Sequence, residues 1–130
     1  MSHIATVKCE IKSLDALEEA VQKFHATLHR GKTNFKAYAG TNTKCLHTIE
    51  LDGDANAYSI GLRQLAQAEE AYELACDWYD GKLERAFGRD FIGLRNEYQA
   101  VVAEKALKKQ GWRVSRKVNE RQHIHLYAQR

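Results

Sequence analysis

At 130 residues the chain has room for one domain built around one hydrophobic core. With 44% hydrophobic and 28% charged residues it has the balance of a globular protein, and no apolar run is long enough to span a bilayer. The net charge of +3 hides an asymmetry: from Lys105 onward eight basic residues face Glu120 alone, a local charge of +7, whereas the first 104 residues carry −4. A molecule polarised in this way steers toward anions or toward an acidic partner.

Residues 3 to 11 alternate as a strand. Ser13 stands where a helix N-cap belongs, with Asp15 in the first turn. Leu14, Leu17, Val21, Phe24 and Leu28 follow at three- and four-residue steps, which predicts a helix stopped by Gly31. Residues 45 to 51 read as a second strand. The turn-rich Asp52-Gly53-Asp54-Ala55-Asn56 comes next, then a third strand over Tyr58–Leu62, with Glu69-Glu70 near another turn. In the fourth strand, Tyr72, Leu74, Cys76 and Trp78 share one face, and Glu73, Ala75, Asp77 and Tyr79 the other.

A long helix is predicted over residues 82 to 110, although Gly88 and Gly93 weaken its first turns and leave an irregular segment as the alternative there. Gly111 ends it, and Lys108 and Lys109 suit its dipole. Trp112, Val114 and Val118, then Ile124, Leu126 and Ala128, form a hairpin turning at residues 119 to 122. The expected fold is a single α+β domain over residues 1–130. It has an antiparallel sheet of five to six strands with two helices on one face, in the order β-α-β-β-β-α-β-β.

The order of the landmarks resembles a known family. They are Met1-Ser2-His3, the helix entry Ile11–Leu17, Tyr58-Ser59-Ile60-Gly61-Leu62, Tyr72-Glu73-Leu74 with Asp77-Trp78, and Gln110-Gly111-Trp112. The family is the plastid reading frame numbered thirty-five in the Ycf series, a domain of unknown function found in cyanobacteria, red-type plastids, other bacteria and some phages. Ile4 stands where the family has an aromatic, and residues 29 to 45 depart from its pattern. The resemblance implies no enzyme activity. It implies an accessory role beside ATPases of the AAA type.

Candidate sites are few. His25 and His29 would share a helical face, and His123 and His125 one face of the last strand. The second pair could hold zinc only if His3 or His47 joined it, so neither pair is expected to bind metal. Asp52, Asp54 and Asn56 copy the start of a calcium loop, but Arg63 stands where the bidentate Glu belongs. There is no phosphate-binding glycine loop and no nucleophile elbow. Cys76 points toward the core and is expected to be inert, while Asp80 is expected to cap the second helix.

No catalytic residue, cofactor or metal is therefore expected. Cys9, Cys45 and Cys76 are expected to be reduced thiols of a cytoplasmic protein, and Met1–Ala5 shows no secretory signal. The main functional feature is a basic face of Lys105, Lys108, Lys109, Arg113, Arg116, Lys117 and Arg121. It would serve an acidic protein partner, with nucleic acid as the alternative. Open strand edges make a homodimer plausible.

Overall fold

The computed structural model describes residues 4–130 except Ala39, Gln67 and Gln122, and describes only the backbone of Thr41, Asn42, Ala68 and Glu69. Strand β1 (Ile4–Ile11) runs into helix α1 (Leu14–Gln22). The Ser13 hydroxyl caps that helix by accepting from the Ala16 N–H at 3.1 Å. Ala16, Leu17, Ala20 and Val21 form its buried stripe.

The helix stops earlier than its periodicity predicts. His25 takes a left-handed backbone (φ 54°), and the chain turns into strand β2 (Ala26–Arg30). Ala26 and Leu28 are buried with Thr27 exposed between them, so the same residues satisfy a period of two. Pairing with strand β5 (His47–Leu51), from Ala26↔Leu51 to Arg30↔His47, decides for the strand. Gly31 (φ 79°) therefore ends a strand, not a helix.

Strands β3 (Asn34–Ala37) and β4 (Gly40–Lys44) form a hairpin in a stretch with no predicted element. β6 (Ile60–Leu65) and β7 (Ala68–Asp77) complete an antiparallel five-stranded sheet ordered β1-β7-β6-β5-β2. Glu69 and Glu70 lie at the start of β7, just after the turn that joins it to β6, as expected.

The predicted helix over 82 to 110 is two helices, α2 (Lys82–Phe87) and α3 (Ile92–Lys109), joined by a 3-10 turn at Arg89–Phe91. Asp90 and Phe91 both have positive φ at this break. The break carries Phe91 into the core, fully buried, with its ring 4.5 Å from that of Trp78. At the far end Gly111 (φ 89°) donates to the Lys108 carbonyl and Trp112 to that of Leu107, the paired bonds of a Schellman cap.

All three helices pack on one sheet face. Leu17, Leu62, Leu74, Cys76, Phe87 and Phe91 belong to that single buried cluster. The tyrosine hydroxyl of Tyr98 on α3 ties in the β1–α1 corner by accepting the Lys12 and Ser13 N–H groups at 3.0 and 3.1 Å. The opposite face is covered too, by the β3–β4 hairpin. Phe35 is completely buried there against Cys45 and Ala75, with Ile4 at the margin. Its ring lies directly over Gly61, where an added Cβ would come within 2.3 Å of Phe35 Cδ1.

The last two strands, β8 (Arg113–Val118) and β9 (Ile124–Gln129), do not join the main sheet as the expected strand order implies. They form a separate two-stranded ribbon packed on α3. No helix among the described residues is long and apolar enough to cross a membrane.

Candidate interaction ribbon

Strand parity divides the ribbon into two faces. Val114, Arg116 and Val118 of β8 lie opposite Ala128, Leu126 and Ile124 of β9, and this face turns toward α3. Arg113, Ser115 and Lys117 lie opposite Gln129, Tyr127 and His125, all exposed on the outer face. The inner face is only half covered, and Val118 keeps 53% of its surface in solvent. Asn119 shapes the turn: its side-chain oxygen accepts from the Arg121 and His123 N–H groups, both at 2.9 Å.

The expected basic face is reduced by two members. Arg116 turns inward and clamps Glu97 of α3, its Nη1 lying 2.8 and 2.7 Å from the two carboxylate oxygens. Its Nε donates to Glu104 at 2.6 Å. Glu97 is 5% exposed, so this network anchors the ribbon and is not available to an outside anion. Burial pushes the guanidinium pKa down, but its bonds to Glu97 and Glu104 outweigh that and leave it raised. Lys105 turns to Glu19 of α1 at 3.1 Å. Arg116 is thus an internal tie and Lys105 a member of a surface ion pair, because strand and helix geometry carries each toward a carboxylate from another element.

Lys108, Lys109, Arg113, Lys117 and Arg121 remain exposed, and none has a carboxylate partner among the described residues. Lys117 Nζ lies 5.6 Å from the centre of the Tyr127 ring, which is 51% exposed.

The histidines are not gathered into a metal site. His125 Nε2 lies 3.1 Å from the Asn119 side-chain nitrogen, and His123 is exposed beside the turn. His47 is on β5, where Nδ1 accepts the Gly31 N–H at 2.9 Å, and His3 lies outside the described residues. His25 sits in the turn before β2 and His29 on β2, near Glu50 at 3.8 Å, so the expected shared helical face does not exist. No group of His, Cys, Asp or Glu among the described residues could hold a metal ion.

The loop Asp52–Asn56 is a strand connection. Asp52 accepts from the Thr27 hydroxyl at 2.6 Å, and Asp54 pairs with Lys82 at 2.8 Å. The open cleft of about 700 Å³ beside it is lined by Lys32, Lys36, Glu50 and Asp54, whose charges are engaged within the protein.

Cys76 is fully buried, and burial first, then Asp77, Asp80 and Asp90, pushes its thiol pKa far up. That is the opposite of nucleophile activation. Asp80 accepts from the Lys82 N–H at 3.0 Å at the start of α2. It also accepts from the Tyr58 N–H at 3.3 Å.

One cluster was not anticipated. Tyr38, Tyr58 and Tyr79, from three separate stretches of chain, gather near Asp77 and Asp80. The Asp-Trp-Tyr-Asp run at residues 77–80 was its visible signal. Comparison with family models, curated proteins and solved structures finds no match.

Proposed function

We propose that this chain is a small non-enzymatic accessory protein that acts by docking, with the β8–β9 ribbon meeting an acidic surface of a protein partner. One observation carries the reading. The ribbon has open long edges, a half-covered inner face and an outer side whose cations are not neutralised from within. Open edges and unmatched charge are features that partners complete. The resemblance to the Ycf-type family makes an ATPase of the AAA type the first partner to test. The three free thiols fit a cytoplasmic setting.

The test is an affinity capture from the source cell with the wild-type chain and with Arg113→Glu/Lys117→Glu/Arg121→Glu. The expected result is an AAA-type ATPase retained by the first and lost by the second. Identical partner sets would overturn the assignment to the ribbon.

Nucleic acid is the second reading, favoured by Lys117 and Tyr127 side by side on the outer face. It predicts single-stranded DNA binding whose log affinity falls with log salt at about 0.7 per phosphate neutralised. Absent or salt-insensitive binding removes it.

A further inference from the structure

We infer that Tyr38, Tyr58 and Tyr79 form a recognition site for a cationic side chain, an arginine or lysine carried on an extended basic segment of a partner protein. The site lies on the main domain, apart from the ribbon, and does not depend on the ribbon's role.

Its geometry is set by two carboxylates. Asp77, only 2% exposed at the end of β7, accepts the Tyr38 N–H at 3.1 Å and the Tyr79 N–H at 2.9 Å. Asp80 accepts the Tyr58 N–H at 3.3 Å. The backbones of all three tyrosines are therefore pinned to two acids that follow one another closely in the chain. The Tyr38 and Tyr79 rings meet edge to face, with centroids 5.2 Å apart and planes at 75°. They are nevertheless 56% and 72% exposed. Large aromatic rings held in place by the backbone and left in water are a contact surface awaiting a partner.

The charge pattern selects the partner. Neither Asp77 nor Asp80 has a cation within ion-pair distance among the described residues. Of the nearby cations, Lys82 is paired with Asp54, and Lys36 donates to the Ala55 carbonyl. The Arg85 guanidinium covers Gly81. The Tyr58 phenol pKa is raised by burial and then by Asp77 and Asp80, so the field at its hydroxyl is negative. Exposed aromatic rings whose backbones bond carboxylates that lack an ion-pair partner disfavour anions and favour cations. A hard metal ion is a poor occupant, since Asp77 is sealed from solvent and bonded to backbone. Tyr38 and Tyr79 are largely exposed, so a free small cation beside them would stay largely hydrated. A cation on a polypeptide brings further contacts from its own chain.

The test is fluorescence anisotropy with a labelled peptide of alternating arginine and glycine, against one of alternating glutamine and glycine. The arginine peptide should bind at least about tenfold more tightly. Tyr79→Leu with Tyr38→Leu should weaken it by about tenfold, the size of two exposed cation–π contacts. Tyr79→Phe with Tyr38→Phe should stay within about twofold, because the ring face and not the hydroxyl makes the contact. Arg113→Gln/Lys117→Gln/Arg121→Gln should leave the affinity unchanged, which separates this site from the ribbon. Equal binding of the two peptides, unweakened binding by the leucine variant, or equal losses in the phenylalanine and leucine variants would overturn the inference.

Discussion

Replacing Arg116 by alanine should loosen the ribbon more than any other single change in the basic tail. The Glu97 carboxylate, 5% exposed on α3, would lose both bonds to Nη1, and among the described residues Lys23 alone would remain, 3.6 Å away on a half-exposed side chain. Breaking a buried pair from one side costs about 3–5 kcal/mol. The residual exposure of Arg116, 21% of its side chain, and the surviving Lys23 contact lower that to about 2–3 kcal/mol.

The ribbon touches chiefly α3, so undocking it would rehydrate Glu97 without unfolding the sheet. The loss should therefore appear first in the local opening of β8 and β9. Native-state hydrogen exchange is the assay. Amides of Arg113–Val118 and Ile124–Gln129 should exchange about 30- to 150-fold faster, while those of β6 and β7 change little. The double variant Glu97→Met/Arg116→Met should recover part of the protection, because it leaves no charge stranded at Glu97 and only the less buried Glu104 without its arginine. Less than a twofold change in the ribbon of Arg116→Ala, or a double variant looser than the single, would refute the clamp.

Gly61→Ala should cost about 1–3 kcal/mol in urea unfolding, since its methyl group would strike the buried Phe35 ring. Adding Phe35→Leu should recover part of the loss, and an unaffected Gly61→Ala would contradict the packing. His47 has its pKa lowered by burial and then by Arg30, and its Nδ1 must be unprotonated to accept from Gly31. A depressed folded pKa means that its contribution is present above the unfolded value of about 6.5 and is lost as pH falls from there through the folded value. The His47 ring should accordingly titrate below free histidine by NMR, and the acid-side loss of stability should shrink in His47→Asn. Cys76 should resist thiol reagents in the native protein and react only as fast as the core unfolds, whereas half-buried Cys9 should react sooner. Rapid native labelling of Cys76 would show that the core is open.

Local signals were legible where one residue type has one physical use. Ser13 caps a helix, Gly111 ends one, and alternation in β7 sends Leu74 and Cys76 inward with Asp77 on the other face. The reading failed where a pattern has two solutions. Leu28 fits both a helical stripe and a strand, and only the waiting edge of β5 chooses between them. The left-handed pair Asp90–Phe91 could not be foreseen from residue type, because neither is a glycine. The pairing of Arg116 with Glu97 and the gathering of three tyrosines are tertiary facts. Each joins residues whose separation in the chain conceals their proximity.

The hairpin over Phe35 also says something about how this domain tolerates change. β2 and β5 are antiparallel neighbours whose pairing ends at Arg30↔His47, where a two-residue turn could close them. The chain instead makes an excursion through residues 31–46, lays β3 and β4 across the sheet and returns. Gly61 and Ala75 are small because Phe35 fills the space above them. An excision closed by a tight turn would keep the helical half of the protein but leave an empty socket on the other side. Facing that side to water would require new polar side chains there, so the excursion and the face beneath it can only be exchanged together.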